Sequence, residues 1–159
     1  MENIILKTAI GFLVLLMMGT GCEKEKEKDP GEFTEKQILK FSDFGCSNIF
    51  LKPAYIRNYH NHYVVTSQKS LEKYTYTTSD CILQIDFSKY IVIIGDIGFP
   101  TGVSLYNEKI EENNVEIVYT VTFLTNDATV PLGIQYHAVI EKPSGQKNIR
   151  VVEIVKDQV

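Results

Sequence analysis

The sequence predicts a mainly β fold, an antiparallel β-sandwich or a partly open barrel with one or two short helices. Two observations support this prediction. Apolar and polar residues alternate through the second half of the chain, and turn residues interrupt the alternation at short intervals. From Cys22 onward the chain has about 138 residues, which favours one domain with a hydrophobic core over two. We therefore expect a single mainly β domain over 33–159.

The clearest strands lie toward the C-terminus. Every second residue from Val115 to Phe123 is apolar, which predicts a strand with one buried face. Ile134 to Ile140 repeats the pattern, and Pro143 to Gln146 then turns the chain into Ile149 to Val155. We predict that these last two segments form a C-terminal hairpin.

The middle of the chain contains a more apolar strand. Tyr90 to Ile94 is apolar on both faces, which is typical of a central strand. Gly95 to Gly102 contains three glycines and a proline, and it predicts a long turn before Val103 to Ile110. Tyr63 to Thr66 predicts a further strand. Ser67 is placed to cap a short helix that follows it.

The N-terminus has the layout of an exported precursor. Lys7 supplies a positive flank, and Ala9 to Met18 supplies about ten apolar residues, fewer than the roughly 20 that a transmembrane helix needs. Gly19-Thr20-Gly21-Cys22 then resembles the lipobox of bacterial lipoproteins. The resemblance implies a signal peptide over 1–21 and a lipid on Cys22.

A charged tether follows the cysteine. Glu23 to Asp29 alternates in charge, and Pro30-Gly31 ends it with a turn signal, so residues 22–32 are expected to be a lipidated tether. The acidic run also resembles the surface-export signals of Bacteroidota lipoproteins. These resemblances imply an outer membrane lipoprotein, anchored through Cys22, whose domain faces the periplasm or the cell surface.

Composition limits the ligands. The net charge is −4 and no basic cluster interleaved with aromatic residues is present, so we expect no nucleic-acid partner. Besides Cys22, the chain has Cys46 and Cys81. In an exported protein this pair forms either a disulfide or two buried thiols, and the sequence leaves both open.

No catalytic motif stands out, and we expect no catalytic residue, cofactor or metal. The glycines from Gly95 to Gly102 lack the Gly-Lys-Ser/Thr ending of a phosphate loop. His60 and His62 would share one strand face, but no spacing brings His137 or a carboxylate to them as a third ligand. Glu111-Glu112 precedes an Asn-Asn turn, where solvated side chains are expected.

The chain has nine tyrosines and no tryptophan. Tyr55, Tyr59 and Tyr63 recur every four residues, and Tyr74, Tyr76 and Tyr90 follow. Tyrosine suits recognition of a protein or glycan because the ring gives contact area while the hydroxyl stays hydrated. It is equally common in half-buried strands, so packing at the core boundary is the other interpretation.

Ile85 to Tyr90, the apolar strand after it, and Phe99-Pro100-Thr101-Gly102 resemble the C-terminal domain of PrcB-type proteins, lipoprotein subunits of a protease complex. Val130-Pro131 and Ala138 to Lys142 extend the resemblance over residues 82–155. It implies a non-catalytic accessory domain that binds another exported protein. We expect the contact at a loop formed by Gly98, Phe99, Pro100, Thr101 and Gly102. The alternative is a surface glycan-binding or nutrient-capture lipoprotein that uses its tyrosines.

Overall fold

The computed structural model describes residues 29–52, 60–78, 80–127 and 132–157. The predicted signal peptide, the lipidation site Cys22 and most of the tether lie outside these residues, as do Tyr55, Tyr59 and Val130-Pro131. Within the described ranges the chain forms a 3₁₀ helix at Phe41–Phe44, the helix α1 at Gln68–Tyr74, and strands β1 Thr34–Lys36, β2 Ile49–Leu51, β3 His60–Val65, β4 Thr75–Thr77, β5 Tyr90–Phe99, β6 Val103–Glu112, β7 Glu116–Thr125, β8 Leu132–Glu141 and β9 Asn148–Asp157.

The strands form three layers. A four-stranded sheet in the order β1-β6-β7-β9 packs against a three-stranded sheet in the order β3-β5-β8. The two-stranded sheet β2-β4, the 3₁₀ helix and α1 cover the other face of the three-stranded sheet. The predicted mainly β, sandwich-like fold is confirmed, and the sheets do not close into a barrel.

β5 is the central strand, as predicted. It pairs antiparallel with β3 on one side and with β8 on the other. Because side chains alternate along a strand, Ile91 and Ile93 enter the core between the two large sheets, while Val92 and Ile94 enter the core beneath the covering layer. A strand that is buried on both faces holds the three layers together.

The prediction of a long turn from Gly95 to Gly102 is wrong. β5 continues through Gly95 to Phe99, and the turn that leads to β6 is confined to Pro100, Thr101 and Gly102. Gly95 serves packing instead. A Cβ atom there would lie 2.3 Å from Cζ of Tyr136, so only glycine leaves room for that tyrosine ring.

The predicted C-terminal hairpin is also wrong. β8 and β9 are both strands, but β8 pairs antiparallel with β5 and β9 pairs in parallel with β7. The turn between them, where Gly145 has a φ of 89°, carries the chain from one large sheet to the other. Alternation of apolar and polar residues shows which side chains of a strand are buried, but it does not show which strand lies beside it. Since β9 could bury its apolar face in either large sheet, its sequence did not reveal that it pairs with β7.

Two local predictions are confirmed. Ser67 caps α1, because its Oγ accepts a hydrogen bond from the Ser70 backbone N–H at 3.2 Å. The Asn-Asn turn joins β6 to β7, where Oδ1 of the buried Asn113 accepts from the backbone N–H groups of Val115 and Glu116. None of the described helices is long and apolar enough to span a membrane.

Candidate functional site

Cys46 and Cys81 form a disulfide. Their sulfur atoms lie 2.00 Å apart, and 35 positions separate them in the chain. The bond joins the segment after the 3₁₀ helix to the segment after β4, so it links both ends of the covering layer. Cys46 belongs to the core beneath that layer. The disulfide therefore cross-links two segments of the covering layer, and Cys46 packs in the core that this layer shares with the three-stranded sheet.

The covering layer carries an exposed aromatic pair. β2 and β4 run antiparallel with Phe50 opposite Tyr76, and their ring centroids lie 5.8 Å apart. Phe50 is 39% exposed and Tyr76 41%, whereas their chain neighbours Leu51 and Thr75 are buried. One face of this sheet is thus anchored in the core and the other presents two rings to solvent.

Ile82 extends the aromatic pair. Its side chain is 78% exposed and borders the same groove as Tyr76. We call Phe50, Tyr76 and Ile82 the aromatic patch. Ile82 directly follows the disulfide-bonded Cys81, so the bond also restrains its position. Exposed aromatic and aliphatic side chains on a rigid support are typical of the centre of a protein interface.

The groove beside the patch has a volume of about 250 Å³ and apolar walls that include Leu71, Ile82 and Leu83. At its margin, Nε2 of Gln68 donates to the carbonyl oxygen of Leu83 at 2.9 Å, and Oε1 of Gln68 is buried without a hydrogen-bond partner. The walls suit an apolar side chain of a ligand or partner.

A larger cleft of about 510 Å³ opens between the two large sheets at the end where β6 finishes. Its wall includes Lys36 and Glu112, whose charged atoms lie 2.9 Å apart, and Lys147 contacts Glu112 at 2.5 Å. Burial by itself would raise the pKa of Glu112, but the hydrogen bonds from Lys147 and Lys36 hold that pKa below its ordinary value. Glu112 is therefore a half-buried ion-paired carboxylate, and the expectation that it is solvated is wrong.

A polar cluster that the sequence did not predict lies at the side of the sandwich. The Tyr119 hydroxyl donates to the Glu108 carboxylate, which also accepts from Nζ of Lys40 at 2.6 Å. Nζ of Lys40 donates further to the backbone carbonyl of His137 at 2.6 Å. Burial, and to a lesser extent the neighbouring Glu108 carboxylate, raises the pKa of Tyr119 well above its ordinary value. This tyrosine stays protonated, and the cluster joins β6, β7 and β8.

His137 belongs to the same region. Its Nε2 accepts a hydrogen bond from the Phe41 backbone N–H at 3.1 Å, and the two rings stack with centroids 4.0 Å apart. Burial, assisted by the nearby Lys40 ammonium, lowers the pKa of His137 to about 4. The imidazole is neutral at physiological pH and fixes the 3₁₀ helix on β8.

His62 and His137 lie on separate strands, β3 and β8, which flank β5 on opposite sides. His62 is exposed on β3, two positions after His60, and His137 is already engaged with Phe41. In the parts of the chain that the structure describes, no three His, Cys, Asp or Glu side chains are grouped so that they could hold a metal ion.

The predicted partner loop is smaller than expected. Phe99 is only 9% exposed, and its ring lies 5.7 Å from that of Phe123 in the core. Gly98 is the last residue but one of β5, and Gly102 is buried with its carbonyl accepting from Asn126. Pro100 and Thr101 alone present side chains at this turn.

The predicted tyrosines divide between packing and exposure. Tyr63 and Tyr74 stack with centroids 4.5 Å apart and are half-buried, as is Tyr90 at the cleft. Among the predicted tyrosines that the structure describes, Tyr76 is the one in the aromatic patch. Because β2 and β4 are only three residues long, the alternation of apolar and polar residues could not predict that Tyr76 is exposed.

The stretch from Ile85 to Tyr90 contains the turn that leads into β5, which begins at Tyr90. Oδ1 of Asp86 accepts from the Ser88 backbone N–H at 3.0 Å, and the Asp86 carbonyl accepts from Tyr90. The hydrogen bonds from Ser88 are the main reason that the pKa of Asp86 lies below its ordinary value. Ile85 is buried. In this structure the stretch positions the start of the central strand.

Together these features define a β-sandwich with a disulfide-linked covering layer that exposes an aromatic patch. Comparison with protein-family models, with curated proteins and with solved structures finds no match.

Proposed function

We propose that the chain is an exported, lipid-anchored domain that binds another exported protein without itself being an enzyme. The aromatic patch is the observation that carries this proposal. Phe50, Tyr76 and Ile82 are 39%, 41% and 78% exposed on a layer that a disulfide cross-links, and aromatic side chains are enriched at the centres of protein interfaces. The resemblance to PrcB-type proteins makes a surface protease complex the first partner to test.

The proposed location rests on Cys22 and on the disulfide. A thioether-linked lipid at Cys22 would hold the domain on the outer membrane, facing the periplasm or the cell surface. Disulfides persist in oxidising compartments, so the Cys46–Cys81 bond is compatible with export. Metabolic labelling with palmitate tests this directly. We expect label in the wild-type chain and none in Cys22→Ser, and equal labelling of both would refute the anchor.

Binding is tested by recovering the full-length protein from solubilised membranes and measuring the proteins that co-purify. We expect a stoichiometric partner with the wild-type chain and its loss from Phe50→Ser and Tyr76→Ser. Each substitution should cost on the order of 2 kcal/mol of binding free energy. Tyr106→Ser is the matched control, because Tyr106 is an aromatic residue 63% exposed on β6, outside the patch. Equal loss from the control would refute a role specific to the patch.

A glycan ligand is the second candidate. Tyr76 is the observation that favours it, since an exposed ring beside a groove can stack on a sugar. Glycan-array binding that disappears in Tyr76→Ala and persists in Tyr106→Ala would support this alternative. Absence of binding to any glycan, together with a stoichiometric protein partner, would exclude it.

A further inference from the structure

β9 forms an open edge of the four-stranded sheet. Among the described strands it pairs with β7 alone, over ten residues and without a register shift. Its sequence contains neither proline nor glycine. The other side of the sheet is less regular, because the pairing of β6 with β7 shifts register at Tyr106 and β1 covers the end of β6. Long regular edges are uncommon on monomeric proteins, because their backbone groups can pair with another chain.

The direction of the backbone groups on β9 follows from one hydrogen bond. The Asn148 N–H donates to the carbonyl of Val115, on the β7 side, at 3.0 Å. Since backbone groups point alternately to the two sides of a strand, even-numbered residues pair with β7 and odd-numbered residues face the open side. Val155 is one of the latter, and its side chain is 47% exposed.

The side chains of β9 indicate what could pair with it. On the face away from the core, Arg150 and Lys156 flank Val152 and Ile154, and β9 itself has no acidic residue on this face. Arg150 is already ion-paired with Glu116 of β7, because its Nε and Nη2 donate to that carboxylate at 3.1 and 3.2 Å, so Lys156 is the cation of this face that a new partner can pair with. Ile154 is 37% exposed. Cross-strand neighbours lie about 5 Å apart and favour opposite charges and paired β-branched residues. A complementary strand would have an acidic residue opposite Lys156 and β-branched residues opposite Val152 and Ile154.

We propose that the open edge of β9 binds an extended segment of a protein partner as an added strand, and that this segment has an acidic residue opposite Lys156 and β-branched residues opposite Val152 and Ile154. This proposal depends on the proposed protein-binding function, because the added segment would belong to the exported partner. It concerns a surface separate from the aromatic patch, since β9 is in the four-stranded sheet and the patch is on the covering layer.

A synthetic peptide tests this surface. Its length is that of β9, and on one face it has glutamate, valine, isoleucine and glutamate at successive alternate positions, with threonine between them. We expect it to bind the full-length protein at least ten-fold more tightly than the same peptide with lysine in place of glutamate. Val155→Pro removes an outward N–H without removing a bond to β7, and should weaken binding about ten-fold. Val155→Thr keeps the N–H and should bind like the wild type.

Unchanged affinity in Val155→Pro, equal affinity for the lysine peptide, or no binding of the acidic peptide would each overturn the proposal. Amide hydrogen exchange in the wild-type protein gives a second measurement that needs no folded variant. The peptide should slow exchange at Val151 and Val155, and unchanged exchange there would also refute it.

The remaining outcomes separate this proposal from others. Phe50→Ser should bind the peptide like the wild type, so loss of the co-purifying partner with retained peptide binding assigns the two surfaces independently. If light scattering shows a dimer that Val155→Pro converts to a monomer, a second copy occupies the edge and the added-strand proposal is overturned.

Discussion

Acid should destabilise this domain in a way that depends on His137. In the folded protein the imidazole is buried and neutral, and its Nε2 accepts the Phe41 N–H. Burial and then Lys40 lower its pKa from 6.5 to about 4. In the unfolded chain the imidazole regains its ordinary pKa. Between these two values the unfolded state binds a proton that the folded state excludes, so the stability falls as the pH falls.

The magnitude follows from the two pKa values. At about pH 7.5 the imidazole is neutral in both states and contributes no pH dependence. At about pH 5 the unfolded chain is protonated at this position and the folded chain is largely not. The resulting loss is about 2 kcal/mol of the free energy of unfolding. Carboxylates with lowered pKa values, such as Asp86 and Glu112, add their effect mainly at more acidic pH.

Urea unfolding at the two pH values measures this loss, with His137→Gln as the matched variant. Glutamine keeps an acceptor near the Phe41 N–H but does not titrate in this range. The wild-type protein should lose about 2 kcal/mol more than the variant between the two pH values. Equal losses, or an NMR titration that places the pKa of His137 near 6.5, would refute the reasoning.

Two further predictions concern packing and covalent structure. Gly95→Ala should lower the free energy of unfolding by about 1–3 kcal/mol, because the new Cβ meets the Tyr136 ring. Gly133→Ala is the control, since a Cβ there would lie 3.9 Å from the backbone oxygen of Ile97, and it should change the free energy of unfolding by less than about 0.5 kcal/mol. Equal effects of the two substitutions in thermal unfolding would contradict this account. Replacing both Cys46 and Cys81 by serine should cost on the order of 4 kcal/mol, since the bond closes a loop across 35 positions, and unchanged stability in urea would exclude a stabilising role.

Much of the fold could be predicted because its signals are local. The apolar run from Tyr90 to Ile94 predicted a central strand, and β5 is buried on both faces. Alternation from Val115 to Phe123 predicted β7, in which Ile117, Tyr119, Val121 and Phe123 are all buried. Ser67 predicted the start of α1. In each case the side chains that decide the structure are neighbours in the sequence.

The wrong predictions depend on distant partners. Gly95 has the composition signal of a turn, and what fixes it in a strand is the ring of Tyr136, which is 41 positions away. β9 has the alternation of a hairpin strand, and its parallel pairing with β7 is selected by the other residues of that sheet. The Lys40, Glu108 and Tyr119 cluster likewise joins residues from three separate segments. A single sequence does not show such pairings.

The aromatic patch depends both on residues that are adjacent in the sequence and on contacts between distant segments. Phe50 and Leu51 are adjacent in β2, so the burial of Leu51 in the core beneath the covering layer directs Phe50 to the solvent side. Thr75 and Tyr76 repeat this relation on the partner strand. The orientation of the patch is therefore set by the core beneath it and held by the disulfide. If the patch binds a partner, reduction of Cys46–Cys81 should weaken binding even though neither cysteine belongs to the patch, because the layer would lose the covalent link that keeps its rings in place.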